Sequence, residues 1–229
     1  MSVIDIRGGL GTQVLQFMKC AALYDFDKIR VNGDSSISHV QVNWVSKVFD
    51  TKVPCRTIAG NKKTTNFDAA VIPVFQEKRE EIFKKYGNLR KIRKPSGDHI
   101  LHMRGTDNQF VSNDQYAEFL DDGPKITKII SDDIELLANV HVSPETSKLL
   151  AKTSNRNSPS TATEDWFSAI NSDAIYGGYS TFILSVALLS PETNVYIFKN
   201  QNGPKDVTRA SSELFEECME YLNNLHWYE

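Results

Sequence analysis

The fold is predicted most clearly by residues 161–190, TATEDWFSAINSDAIYGGYSTFILSVALLS. Thr161 and Glu164 have the spacing of a capping box, which predicts a helix with an apolar face over the residues that follow. Residues 174–178, AIYGG, then form an apolar run that ends in glycines and predicts a short buried strand. Helices that alternate in this way with short strands along a chain predict parallel βαβ units.

A second helix is predicted directly after this strand. It begins at Ser180 and Thr181, runs through Leu189, and stops near Pro191. Two hydroxyl side chains at a helix N-terminus suit a phosphate group, because free backbone amides and the positive end of the helix dipole lie there as well. Ser180 could equally serve only as the N-cap of that helix.

The opening of the chain repeats the pattern of strand, turn and helix. Residues 2–6 predict a strand, residues 7–13 (RGGLGTQ) a glycine-rich turn, and the amphipathic run that continues to Tyr24 a helix. Such a turn can bind an anion at the helix N-terminus, or it can simply let the helix pack closely on the sheet. Its spacing fits neither the dinucleotide fingerprint nor a Walker loop.

Residues 100–110, ILHMRGTDNQF, carry the strongest functional signal. The run predicts the end of a buried strand, and ligands in open α/β sheets bind beyond the carboxyl ends of strands. Arg104 offers a planar fork of donors that suits a phosphate, and His102 and Asp107 are close enough in sequence to orient it. The alternative is a structural pair between Arg104 and Asp107 that closes a turn.

The remaining elements are predicted from apolar runs and turn residues. A charged helix is expected from Glu77 onward, a polar loop over residues 153–163, an amphipathic helix over residues 211–228, and a domain boundary at residues 95–97. The strands expected after the first are residues 28–31, 69–74, 98–103, 125–131, 139–142, 174–177 and 195–199.

Composition describes an ordinary globular protein. Of 229 residues, 40% are hydrophobic and 24% are charged, and the formal net charge of −3 argues against generic nucleic-acid binding. The three cysteines and five histidines show no zinc-ligand spacing, and buried free thiols in a reducing compartment are expected. No apolar run approaches the roughly 20 residues of a membrane span, and the N-terminus shows no signal-peptide pattern. We therefore expect a cytoplasmic protein without a membrane span.

Taken together, four segments resemble the GDP-fucose-dependent fucosyltransferase superfamily, which includes α1,2- and α1,6-fucosyltransferases, the nodulation fucosyltransferase and protein O-fucosyltransferases. The opening GGLGTQ resembles the GGLGNQ-type turn of the family, and HMRGTD resembles its donor motif. KIISDDIELL is similar to the following strand with its Asp-Asp ending, and DWFSAINSDAIYGGYSTF to the family's phosphate segment. The matched segments are residues 8–23, 102–107, 128–137 and 165–182.

The resemblance implies a role for each matched residue. Arg104 would bind the β-phosphate of GDP and stabilise its charge as the glycosidic bond breaks, and His102 would contact guanine or ribose. Asp165 would accept hydrogen bonds from guanine. The competing interpretation is structural: the helix dipole favours an aspartate in the first turn of a helix. The other residues expected at the substrates are Gly9, Gly11, Thr12, Gln13, Asp132, Ser180, Thr181 and Phe182; Asp132 is also a candidate helix cap.

This chain departs from the family pattern at two positions of these motifs. Gly105 stands where the α1,2 and α1,6 patterns have a second arginine, and Thr12 stands where the opening turn has asparagine. Inversion at the sugar carbon requires a general base near the acceptor hydroxyl. Asp5, Asp107 and Asp114 are all candidates for that base, and Asp114 could instead cap the helix that follows it.

The resemblance implies an α/β fold of two Rossmann-like lobes, of the GT-B glycosyltransferase type, with a reduced N-terminal lobe. Residues 1–97 would form the acceptor-side lobe and residues 98–229 the GDP-sugar-binding lobe, with the C-terminal helix free to pack back on the first lobe. The implied activity is inverting, metal-independent transfer of fucose from GDP-fucose to a glycan or other hydroxyl acceptor, without a cofactor. The alternatives are a transferase for another GDP-sugar and a non-catalytic nucleotide- or glycan-binding module.

Overall fold

A computed structural model describes most of the chain. The described residues are 4–6, 8–23, 29–32, 43–49, 55–56, 67–85, 92, 95–104, 111–131, 139–150, 159–199 and 211–229.

Strands and helices alternate along the described residues. The strands are β1 (Ile4–Ile6), β2 (Ile29–Asn32), β3 (Cys55–Arg56), β4 (His99–Met103), β5 (Lys128–Ser131), β6 (Ala174–Gly177), β7 (Asn194–Phe198) and β8 (Leu225–Tyr228). The α-helices are α1 (Leu10–Leu23), α2 (Trp44–Val48), α3 (Ile72–Lys85), α4 (Asn113–Asp122), α5 (Pro144–Leu150), α6 (Pro159–Ile170), α7 (Thr181–Leu189) and α8 (Ser212–Met219). A 3-10 turn, Ala69–Val71, precedes α3.

The larger sheet has five parallel strands in the order β5-β4-β6-β7-β8. Counted from β4, this order is 2-1-3-4-5, one of the two common doubly wound arrangements. The chain leaves β4 towards β5 on one side and later returns to place β6 on the other, so the topological switch point lies between β4 and β6. The predicted parallel α/β architecture is confirmed, and this sheet is Rossmann-like.

The smaller sheet contains β1, β2 and β3 in that order, also parallel. Its helix α1 packs against α7 of the larger sheet, so one apolar core serves both sheets. Phe17 of α1 stacks on Phe49 beyond α2, with ring centroids 4.6 Å apart, and Trp166 of α6 belongs to the same buried cluster. The two sheets are therefore joined through helices rather than through a continuous ladder of strands.

A second apolar core covers the opposite face of the larger sheet. Phe119 of α4 lies among Tyr176, Phe198 and Tyr228, with ring centroids 4.9–5.1 Å away. Tyr116, one turn earlier in α4, is also buried there. Helix α4 is thereby held against this face of the larger sheet.

Two predicted strands are wrong. Residues 69–74 form the 3-10 turn and the start of α3, and residues 139–142 form no strand. The run AAVIPV is continuously apolar, and such a run does not distinguish a buried strand from a buried helix by periodicity. The carboxylate of Asp68 accepts a hydrogen bond from the amide of Ala70 at 3.0 Å, which caps the turn and starts the helix.

The C-terminal prediction is also wrong in part. Residues 211–228 are not a single helix, because α8 ends at Met219 and β8 adds a fifth parallel strand beside β7. The change of direction between them is fixed by Asn224, which is buried. Helix α8 contacts the 3-10 turn in the N-terminal half of the chain.

Two helix starts differ from the predicted ones. Helix α6 begins at Pro159, so Thr161 lies inside the helix and does not cap it. Proline is favoured in the first turn, where its missing N–H would have no partner. Helix α1 begins at Leu10, so half of the predicted glycine-rich turn is helical.

Cys20 and Cys218 are buried free thiols, as predicted, and burial raises the pKa of each to about 12. The side chain of Cys55 is not among those the structure describes. Among the described residues, no helix has the length and apolar character needed to cross a membrane.

Replacing Asn224 with alanine is expected to destabilise the fold. The Nδ2 group of Asn224 donates to the carbonyls of Ala187, Ser190 and Thr193 at 3.1, 2.9 and 3.0 Å, at the end of α7. Because buried carbonyls would lose their donor, we expect urea denaturation to show a loss of about 2–3 kcal/mol in the free energy of unfolding. Asn223→Ala, at the exposed neighbouring position, is the control, and equal effects of the two variants would contradict this role.

Candidate functional site

Side chains of β4 reach the carboxyl end of the larger sheet on the face covered by α7. Because side chains alternate along a strand, Ile100, His102 and Arg104 point to this same face. His102 is buried, and its ring stacks on Phe182 at the start of α7, with centroids 4.9 Å apart and an angle of 6° between the rings. This contact joins the end of β4 to the N-terminus of α7.

Arg104 follows β4 at the topological switch point and is half-buried. Its backbone amide donates to the hydroxyl of Tyr116 at 3.3 Å, which ties the residue to α4. Its Nη1 lies 3.5 Å from Ser180 Oγ, at the outer limit of a hydrogen bond. Ser180 follows β6, so the guanidinium group spans the ends of the two strands that border the crevice.

The N-terminus of α7 forms one wall of this crevice. Ser180 is its N-cap, and its hydroxyl accepts a hydrogen bond from the amide of Phe182 at 3.2 Å. The predicted helix is thus confirmed, including its end at Leu189. Ser180 caps the helix and also lies next to Arg104, so the two interpretations of this residue are compatible.

The N-terminus of α1 packs directly against the N-terminus of α7. Gly11, in the first turn of α1, lies so close to α7 that a Cβ atom there would overlap the backbone of Thr181 and Phe182. The Oγ1 atoms of Thr12 and Thr181 are 3.0 Å apart. Two helix N-termini, each with a positive dipole end, therefore meet beside Arg104.

The turn before α1 is held by Gly8 and Gln13. Gly8 has φ of +101°, a left-handed conformation that favours glycine. Gln13 is completely buried: its Nε2 donates to the Gly8 carbonyl at 2.8 Å, and its Oε1 accepts from the amide of Trp44 at 3.0 Å. The carbonyl of Gly9 accepts from the Gln13 amide at 3.0 Å. In this structure Gln13 shapes the turn and links it to α2.

Asp165 lies elsewhere on the same face. It is 3% exposed, and its Oδ1 is 3.2 Å from Nζ of Lys128, which also donates to Ser168 Oγ at 2.9 Å. In the sheet, Lys128 pairs with Ile100, which precedes Arg104 by four residues, about 13 Å along the strand. The structure thus places Asp165 against the body of the sheet rather than beside Arg104.

Asp114 is exposed in the first turn of α4. It does not cap this helix, because Ser112 is the N-cap and forms a capping box with Gln115. Ser112 has the better position, since an N-cap side chain must accept from an amide two or three residues later. Asp107 and Asp132 lie outside the described residues, and Asp5 belongs to β1 with a side chain that the structure does not describe.

The structure brings together predicted residues from three distant segments: Gly11 and Thr12, His102 and Arg104, and Ser180 to Phe182. Sequence reasoning missed Tyr116, which fixes the backbone of Arg104, and Lys128, which pairs with Asp165. Lys128 lay within a predicted strand, and no local signal distinguished it from an exposed lysine. Within the described ranges, no group of three or more His, Cys, Asp and Glu side chains is arranged to hold a metal ion.

No family model matches this chain, and no curated protein or solved structure is significantly similar to it. Its geometry defines a doubly wound α/β protein with an arginine, three hydroxyl side chains and two helix N-termini at the switch point of its larger sheet.

Adding a methyl group at Gly11 is expected to disrupt the crevice. In Gly11→Ala the new Cβ would meet backbone of α7, which cannot rotate away, so α1 and α7 would have to separate. We expect a loss of about 3 kcal/mol in the free energy of unfolding, measured by urea denaturation. Gly97→Ala is the control, because no atom lies within 4 Å of that Cβ and its cost is only the strain of a φ of +81°, about 1 kcal/mol. A Gly11→Ala protein as stable as wild type would contradict the close packing of the helices.

Proposed function

We propose that this protein is an inverting, metal-independent glycosyltransferase of the GT-B type that transfers fucose from GDP-fucose to a hydroxyl acceptor. The observation that carries the proposal is the position of Arg104, which spans the ends of β4 and β6 and reaches Ser180 at the N-terminus of α7. In doubly wound sheets this crevice is where nucleotide ligands bind.

The groups around Arg104 suit a diphosphate. The guanidinium offers paired donors, and the hydroxyls of Thr12, Ser180 and Thr181 add neutral donors within the same crevice. Phosphate oxygens would also face two positive helix ends. With a protein net charge of −3, binding of an anionic donor depends on this local concentration of positive potential.

The same groups would assist the reaction. As the bond between the sugar C1 and the β-phosphate oxygen breaks, negative charge grows on the departing GDP. Arg104 would stabilise that charge on one side of C1 while the acceptor oxygen attacks from the other side and loses its proton to a carboxylate. Asp5, Asp107 and Asp114 are the candidate bases; exposed Asp114 lies in the first turn of the helix whose Tyr116 contacts Arg104.

The presence of two sheets supports the assignment of the acceptor and the donor to different parts of the chain. A three-stranded parallel sheet lies within residues 1–97, and the five-stranded sheet lies within residues 98–229. The first would contribute to the acceptor side and the second would hold the donor. His102, stacked on Phe182, would contact the nucleoside beside the diphosphate.

A non-catalytic nucleotide-binding module is the second candidate. Gly105 favours it, because the position that carries a second arginine in the resembling enzymes has no charge here. Release of GDP from GDP-fucose, assayed in the presence of a chelator and a panel of glycan acceptors, distinguishes the two. Transfer of another sugar from its GDP donor in the same assay would identify a different GDP-sugar transferase.

Arg104→Ala is expected to lower the affinity for GDP by about 30- to 150-fold, because a charged hydrogen bond contributes roughly 2–3 kcal/mol. Arg104→Lys should recover only part of this affinity, since a lysine retains the charge and lacks the planar fork. Calorimetric titration with GDP measures both effects. Lys148→Ala removes an exposed charge on α5 and is the control. Wild-type affinity in Arg104→Ala would remove the basis of the proposal.

Asp165→Asn tests the expected guanine contact. If Asp165 accepts hydrogen bonds from guanine, an amide in its place should lower the preference for GDP over ADP by about tenfold, since one hydrogen bond contributes about 1.4 kcal/mol. Lys128→Met is the matched variant, because it removes the ammonium group that pairs with Asp165 and leaves the Asp165 carboxylate in place. Thermal unfolding of both variants separates loss of the ion pair from loss of selectivity. If Asp165→Asn leaves the preference for GDP over ADP unchanged, Asp165 does not contact guanine and its role is the ion pair with Lys128.

A further inference from the structure

Two aromatic side chains next to the crevice have no part in the proposed donor site. Tyr179, immediately before Ser180, and Trp227, on β8, form an edge-to-face contact with ring centroids 6.1 Å apart and an angle of 83° between the rings. The ring of Tyr179 also lies 5.4 Å from that of Phe215 on α8. We refer to Tyr179 and Trp227 as the aromatic pair.

The aromatic pair marks the end of the core at the carboxyl side of the sheet. Phe215 and Leu225, on α8 and β8, are fully buried beside it, whereas both rings of the pair are half-buried. The chain has three tryptophans, of which Trp44 is 4% and Trp166 0% exposed. Trp227 is therefore the tryptophan that solutes can reach.

The register of the sheet gives the distance of this pair from the crevice. Trp227 pairs with Ile197, and Ile197 pairs with Gly177 at the end of β6. Neighbouring strands are about 4.8 Å apart, so Trp227 lies roughly 10 Å across the sheet from the strand that leads to Ser180. A ligand on the face of Trp227 would therefore lie beside a diphosphate held at Arg104.

The electrostatic surroundings of the pair differ from those of Arg104. Burial, together with the carboxylates of Glu216 and Glu213, raises the pKa of the Tyr179 hydroxyl above its ordinary value. Both glutamates are exposed on α8. Carboxylates accept hydrogen bonds from hydroxyl groups, and they repel an anionic ligand.

The location of α8 relates this surface to the acceptor side. Helix α8 contacts the 3-10 turn Ala69–Val71, and Gln76 of α3 donates to the carbonyl of Tyr221 just beyond α8 at 3.1 Å. Helix α8, which carries Phe215 beside the pair, therefore contacts the N-terminal half of the chain.

We propose that the aromatic pair is an acceptor subsite for a neutral saccharide, whose apolar C–H face stacks on Trp227, with the perpendicular Tyr179 ring at its side, and whose hydroxyls donate to Glu213 and Glu216. This inference rests on the proposed transferase function. The amphipathic rings suit a sugar, which has an apolar ring face and a polar rim. The two carboxylates select against sialylated, sulfated or phosphorylated acceptors.

The test is binding of GDP-saturated protein to a microarray of neutral and anionic oligosaccharides. We expect wild type to bind neutral glycans, and Trp227→Leu to lose at least tenfold of that signal while its affinity for GDP changes less than twofold. Tyr221→Leu removes an exposed aromatic side chain away from the pair and should bind as wild type does. A bound neutral glycan, added in solution, should also protect wild-type Trp227 from quenching by acrylamide, a readout that requires no variant.

Several outcomes would overturn the inference and leave the donor site intact. Wild type could bind GDP and no neutral glycan, or Trp227→Leu could bind glycans as well as wild type does. A tenfold loss of GDP affinity in Trp227→Leu would instead assign the pair to the nucleotide. If wild type binds neither GDP nor GDP-fucose, the proposed function itself fails, and calorimetry on wild type alone identifies that case.

Discussion

The close approach of α1 and α7 is the constraint on which the rest of the structure depends. Gly11 has no side chain, and this absence lets two helix N-termini meet with their backbones almost in contact. The approach brings Thr12 to Thr181 and joins the small sheet to the large one through a common core. Without it, the residues of the opening segment would have no fixed relation to Arg104.

The strand order of the larger sheet is the second feature on which the site depends. The strand order reverses between β4 and β6, and ligands of doubly wound sheets bind at such a switch point. Arg104 lies at this switch point beside two helix N-termini, whose positive dipole ends favour an anion, and beside the hydroxyls of Ser180 and Thr181. His102 and Tyr116 hold the end of β4 from opposite faces, through a ring stack and a backbone hydrogen bond.

The sequence predicted the elements that carry a local signal. The α7 helix followed from Ser180 and from its continuous apolar run, and β4 and β6 followed from short apolar runs with defined ends. The start of α3 and strand β8 were missed, because an apolar run has no distinguishing period and because β8 exists only through its pairing with β7. The partner of Asp165 was also out of reach, since a contact between Lys128 and α6 depends on how the helix packs across the sheet.

The shared core has a consequence for any attempt to divide this chain. Phe17 and Val14 on α1 pack into the same buried cluster as Leu184 on α7, so each half covers apolar surface that belongs to the other. A fragment that ends near Pro95 would expose one side of that cluster to water, and its complement would expose the other. The boundary between the two sheets therefore lies within one cooperative unit, and the larger sheet transplanted into another protein would need a substitute for α1.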